Sequence, residues 1–155
     1  MELAIAKFTT TLQDATPGQF VAFRHDENWC HGVVCVNTES KSQHRSVFQL
    51  SPNRALVSEL APDKGVLVFP DARLELMPAV NFGSAPTDYI ECVAVDGEAA
   101  FAIIETDRVA QTLNIATGEL GGNMFSSART TAWFRNWRIV EGTGAERVVL
   151  CESMK

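Results

Sequence analysis

Residues 89–105 read YIECVAVDGEAAFAIIE, and the pattern on either side of Asp96-Gly97 decides the fold class. An Asp-Gly pair supplies the positive φ angles of a tight hairpin turn, whose twist matches that of the strands it joins. With Asp96–Gly97 at the tip, Ala94 pairs with Ala99, Cys92 with Phe101 and Ile90 with Ile103. These six make one apolar face, and Glu91 falls on the other, opposite Ala102. Turn chemistry and alternation thus select the same register. That register also sets Asp88 opposite Glu105, a like-charge pair that frays the ladder or draws in an arginine.

The period of two continues outward. Upstream, QFVAFR (19–24), a polar tip at His25–Asn28 and WCHGVVCV (29–36) form a second hairpin behind the turn residues Thr16-Pro17-Gly18. Its register places Arg24 directly opposite Trp29. Downstream, a three-residue loop at Glu105–Asp107 leads into RVAQTLNI (108–115), aligning Ile103 with Val109 and Ala99 with Leu113. Ala116–Glu119 makes the next turn. Further strands are expected at Arg45–Leu50, Gly65–Phe69, Arg73–Met77, Thr130–Val140 and Arg147–Glu152, and Leu3–Phe8 alternates weakly. Asn53–Leu60 (NRALVSEL) is the one helix candidate, capped by Ser51 and ended by Pro62.

About ten short strands joined by tight turns imply an all-β fold, an antiparallel sandwich or barrel with at most one short helix. No alternation of strands with long helices supports an α/β fold. A length of 155 residues suits a single β domain spanning 1–155, and the Pro/Gly-rich segment 78–87 (PAVNFGSAPT) is where a two-part organisation would divide.

Composition narrows the function classes. Hydrophobic content of 46% and charged content of 21% are those of a folded globular protein. A net charge of −6 argues against general nucleic-acid binding, which needs a dominant basic surface. The start, MELAIAKFTTTLQDATPG, lacks the features of a signal peptide, and no run approaches the ~18 apolar residues of a membrane span. A cytoplasmic location is expected. Cys30, Cys35, Cys92 and Cys151 lie in or beside apolar runs, where they serve as small core residues and not as a disulfide framework.

Charge is segregated along the chain. From Leu74 to Asp107 there are seven acids and no basic residue, whereas Gly121–Val140 has no acid but contains Arg129, Arg135 and Arg138. Within the expected strand Thr130–Val140, alternation puts Trp133, Arg135 and Trp137 on one face. Two indoles flanking a guanidinium can stack on a ring or peptide while the arginine reaches an anion. The competing reading is a packed core, the usual destination of large aromatic side chains.

Other constellations carry less. His25, His31 and His44 cluster near Cys30 and Cys35, but alternation puts Cys30 on the opposite face from His31 and Cys35, so no metal site is expected. Adjacent Cys30 and His31 point apart and cannot form a nucleophile–base pair. A calcium site at Asp88, Glu105 and Asp107 lacks the spacing of a calcium loop. No nucleotide-binding or hydrolase fingerprint occurs, and no cofactor is expected.

The sequence therefore points to a non-catalytic binding or assembly module with an aromatic/arginine contact surface. Its residues are Trp133, Arg135, Trp137 and Arg129, together with Trp29 and Arg24. The expected partners are a further copy of the chain or another protein, with a small-molecule ligand as a further option and no nucleic acid or membrane. The alternative is a small β-barrel enclosing an apolar or anionic ligand, or an enzyme with a site at the barrel mouth. Its cavity would be lined by Phe20, Phe48, Phe69, Phe82 and Phe101.

Overall fold

The computed structural model describes residues 8–41, 43–77, 81–82, 85–106, 109–122 and 131–153. It is all-β. The strands are β1 (Phe8–Thr11), β2 (Phe20–His25), β3 (Asn28–Asn37), β4 (Arg45–Ser51), β5 (Ala55–Val57), β6 (Gly65–Phe69), β7 (Arg73–Leu76) and β8 (Asn81–Phe82). They continue as β9 (Val93–Asp96), β10 (Ala99–Thr106), β11 (Val109–Asn114), β12 (Glu119–Gly121), β13 (Ala132–Phe134), β14 (Trp137–Glu141) and β15 (Val148–Glu152). Two single 3-10 turns, Tyr89–Glu91 and Gly144–Glu146, are the remaining regular elements among the described residues. No described helix is long and apolar enough to cross a membrane.

Twelve strands form one sheet in the order β1-β6-β2-β3-β12-β11-β10-β9-β13-β8, with β4 on β3 and β5 on β4. The other three form a small sheet, β15-β14-β7. The large sheet is not closed into a barrel, so the arrangement is sandwich-like.

The β2–β3 hairpin has the expected register, with Arg24 opposite Trp29 and His25 opposite Asn28. Its tip is Asp26-Glu27, with φ of 46° and 67°, the paired positive angles of a type I′ turn. Strand β2 alternates cleanly. Phe20 and Ala22 face the main core, while Val21 and Phe23 enter a second cluster with Leu12, Val57 and Leu60. Cys30 and Cys35 likewise part to opposite clusters, as alternation requires.

The β9–β10 hairpin differs from expectation by a two-residue shift. Asp96 pairs with Ala99 and Ala94 with Phe101, so the tip is Gly97-Glu98. Gly97, at φ 63°, takes the first central position of the turn, where glycine alone provides the positive angle. An even shift preserves parity, so Cys92, Ala94, Phe101 and Ile103 still share a buried face, covered by Trp133. The ladder ends at Val93 opposite Ala102, and the open end frays as anticipated. Ile90 and Glu91 sit in a 3-10 turn instead of the strand.

The β10–β11 register is a correction with larger consequences. Thr106 pairs with Val109 and Ala102 with Leu113, so the shift from the expected alignment is odd and the faces exchange. Leu113 packs with Ala102 and Ile104 in the main core, leaving Phe101 and Ile103 for the opposite side. Strand β10 is buried on both faces, which is why FAII carries no polar position to fix its parity.

Three further expectations change. Asn53–Leu60 is not a helix: its middle forms β5 (Ala55–Val57), which pairs Val57 with Val47, and both Val57 and Leu60 are buried. The strand expected over Thr130–Val140 is broken at Arg135-Asn136, so β13 belongs to the large sheet and β14 to the small one. The sheet is not wholly antiparallel, since β12 runs parallel to β3. Of Leu3–Phe8, only Phe8 lies within the described residues.

The parallel joint depends on two glycines. Where β2 leaves the edge of β3, β12 takes over, with Gly18 N–H donating to Val34 O and Val36 N–H to Gly118 O. A Cβ on Gly118 would lie 2.3 Å from Gly18 N and 2.5 Å from Val34 O, so no side chain fits. The main core lies between the inner face of the large sheet and the small sheet. It joins Phe20, Val33, Phe48 and Leu113 from the former to Trp137, Ile139 and Cys151 from the latter.

Candidate functional site

The expected Trp-Arg-Trp face does not form. Trp133 is 3% exposed and packs beneath Phe101 and Ile103, whereas Trp137 is 2% exposed and belongs to the main core. The chain passes from one sheet to the other between them, so parity no longer relates the two indoles. Area explains the outcome, because indoles gain most by full burial. Trp137 donates its ring N–H to the Glu91 carbonyl at 3.5 Å. Arg135, at the break, grips Asp88 through Nε (2.6 Å) and Nη2 (3.0 Å), and this bond raises the guanidinium pKa further. Arg129 lies outside the described residues.

The charge segregation resolves in part as pairing within the chain, at Glu75 and Asp88. Arg138 stands opposite Glu75 across β14 and β7 and bonds it at 3.1 Å. Glu75 also pairs with Arg147 and, at 3.3 Å, with Arg73. Arg147 first, and then Arg138, hold the Glu75 carboxyl below the usual carboxylate range. Asp88 is taken by Arg135, and Glu105 accepts a hydrogen bond from the Tyr89 hydroxyl, which raises the Tyr89 pKa. Asp88 and Glu105 are thus engaged by protein groups, and Asp107 lies outside the described residues.

Of the six side chains expected at a contact surface, Arg24 and Trp29 come together at the surface. Trp29 is 55% exposed, in contrast to the other two tryptophans. The guanidinium does not stack on the indole. It turns to the hairpin tip, where Nη2 donates to the Glu27 carbonyl at 3.0 Å. The two side chains flank a groove of about 320 Å³ whose other walls are Thr9, Ala22, Lys64 and Leu67. The groove is built on the β1-β6-β2-β3 portion of the sheet, with Leu67 opposite Ala22 and Thr9 opposite Leu67. Its lining holds two cations and no carboxylate. Lys64, in the β6 approach, is a member that sequence pattern alone does not reveal.

A second depression lies at the junction of the two sheets. About 460 Å³ in volume, it is lined by Arg135 and Trp137 together with Leu50, Arg54, Ile90 and Glu152, among others. Arg54 stacks over Phe48, with Cζ 5.5 Å from the ring centroid.

The histidines stay apart in role. His25 lies 3.4 Å from Glu59 and 3.5 Å from Asp26, and His44 Nε2 is 3.3 Å from the Ser58 carbonyl. His31 faces Phe69, and burial lowers its pKa. No group of three metal-ligating side chains occurs among the described residues. All four cysteines are buried thiols, and burial pushes Cys35 and Cys151 up to about 12. Phe20, Phe48 and Phe69 pack in the main core, Phe101 lies on the other side of its sheet, and the Phe82 side chain is outside the described residues. Between Phe20, Phe69, Ile139 and Cys151 the hollow measures only about 10 Å³, below what a ligand needs. Comparison with known proteins returns no matching family model, no similar curated protein and no matching solved structure.

Proposed function

We propose that the chain is a non-catalytic binding and assembly module whose contact surface is the groove between Arg24, Trp29 and Lys64. Its first partner is a second copy of itself. The observation that carries this reading is an indole left 55% exposed beside two cations, in a chain of net charge −6. Exposed aromatic and arginine side chains dominate contact energetics when a partner dehydrates them. The exposed acids Asp26 and Glu27 form the hairpin tip beside the groove. The patch is therefore self-complementary, and a two-fold arrangement brings the acidic tip of each copy to the cations of the other. Neither Arg24 nor Lys64 has an acid–base partner in the groove lining, which suits recognition more than proton transfer.

The alternative of a barrel with an enclosed ligand finds less support, because the large sheet is open and its core is filled. Trp29 provides the test. Association should shift its emission to shorter wavelength and reduce acrylamide quenching as protein concentration rises, and salt should reverse both effects. Emission and quenching independent of concentration would refute self-assembly through this groove.

A further inference from the structure

Two arginines line the depression at the sheet junction, and they differ in one respect. Arg135 turns the edge formed by Nε and Nη2 onto a carboxylate, that of Asp88. Arg54 has the same edge, yet its Nε and Nη2 are both buried without a hydrogen-bond partner. Its remaining contacts are a long bond from Nη1 to the Cys92 carbonyl, at 3.4 Å, and the Phe48 ring. Buried donors are normally paired, and an unpaired charged one is the costliest exception. Burial lowers the Arg54 pKa to about 10, so the group remains charged at neutral pH. Glu91 is near enough to favour that charge.

We infer that this cleft binds a small monocarboxylate with an apolar body, its carboxylate seated on the Nε–Nη2 edge of Arg54. The planar fork matches a carboxylate through two parallel N–H bonds, the geometry Arg135 already displays in the same cleft. The volume of about 460 Å³ suits a small molecule. Leu50, Pro52, Ile90 and Trp137 provide the apolar wall. A dianion fits poorly, because Asp88 already occupies Arg135 while Glu91 and Glu152 line the same space. Arg54 and Ile90 also line a neighbouring hollow of about 280 Å³, so both stand in the wall between two spaces. That edge is covered in this structure, so the inference requires the Arg54 side chain to rotate within the wall before the carboxylate meets it.

The test uses the full chain, labelled with ¹⁵N, and follows the Arg54 Nε–H and Trp137 indole N–H signals during titration. Benzoate should shift both signals saturably, whereas benzamide, its neutral isostere, and inorganic phosphate should not at equal concentrations. Arg54→Met keeps the stem over Phe48 and should weaken benzoate binding roughly tenfold or more, the loss of a charge-assisted pair. Should that variant not fold, Arg54→Lys keeps the charge without the fork and should show the same loss. Trp29→Ser should leave benzoate binding unchanged, which separates this site from the groove. No benzoate shift at Arg54, equal binding of benzamide or phosphate, or undiminished binding by a folded Arg54 variant would overturn the inference.

Discussion

Gly118→Ala should destabilise the protein far more than the same change at Gly97. Both glycines have positive φ, 71° and 63°, so each substitution carries the left-handed penalty of about 1–2 kcal/mol. At Gly97 that is the whole effect, because an added Cβ meets nothing within 4 Å. At Gly118 the Cβ would fall 2.3 Å from Gly18 N, 2.5 Å from Val34 O and 2.7 Å from Pro17 C. All three are backbone atoms, and the first two are the ends of one hydrogen bond of 2.8 Å. Opening that contact adds overpacking of about 1–3 kcal/mol and a hydrogen bond of about 1 kcal/mol. The total is about 3–6 kcal/mol, a large part of a typical domain's stability. Urea unfolding measures both variants, and the comparison rests on midpoints at unchanged slope. Equal losses for the two alanines would refute the close approach at the β2–β3–β12 joint, and with it the parallel pairing that makes the large sheet continuous.

Trp137→Ala should cost roughly 3–5 kcal/mol in the same assay, because the indole is buried in the main core; a loss below 1 kcal/mol would return that side chain to the surface. Glu75 makes a pH-dependent contribution. Its folded pKa is depressed, so the stability it adds is present above its ordinary value of 4.5 and is lost as pH falls below it toward the folded value. The stability-versus-pH curve of Glu75→Gln should be flatter through that acid range, and curves of equal slope would contradict the pairing with Arg147 and Arg138. The thiols should be inert to a disulfide reagent at pH 8 in the native protein and all four should react in guanidinium, since each cysteine is buried and two have pKa values of about 12.

The legible parts of the sequence were those where local chemistry leaves one answer. In the β2–β3 hairpin, alternation and a polar tip fix the register, and Arg24 meets Trp29 as expected. In β9–β10 the faces follow from alternation, but Asp-Gly can place glycine at either central turn position, and the register moves by two. FAII has no polar residue to mark a face, so the β10–β11 parity cannot be read from it. Short NRALVSEL satisfies a helical spacing and an extended one alike. The break at Arg135 is invisible for another reason. It accompanies a bond to Asp88, 47 residues away, while the alternating pattern runs on through the point where the chain changes sheets. Arg54 and Lys64 acquire their surroundings only from tertiary contacts, so their types and neighbours in sequence do not mark them.

Sedimentation velocity of the wild-type chain and of Trp29→Ser, over a range of concentrations at low salt, tests the contact surface most directly. The exposed indole contributes little to the core, so the variant should keep the native circular dichroism spectrum. The wild type should form a concentration-dependent dimer that salt dissociates, and Trp29→Ser should remain a monomer throughout. A wild type that stays monomeric, or a folded variant that dimerises equally well, would contradict the assignment of this groove.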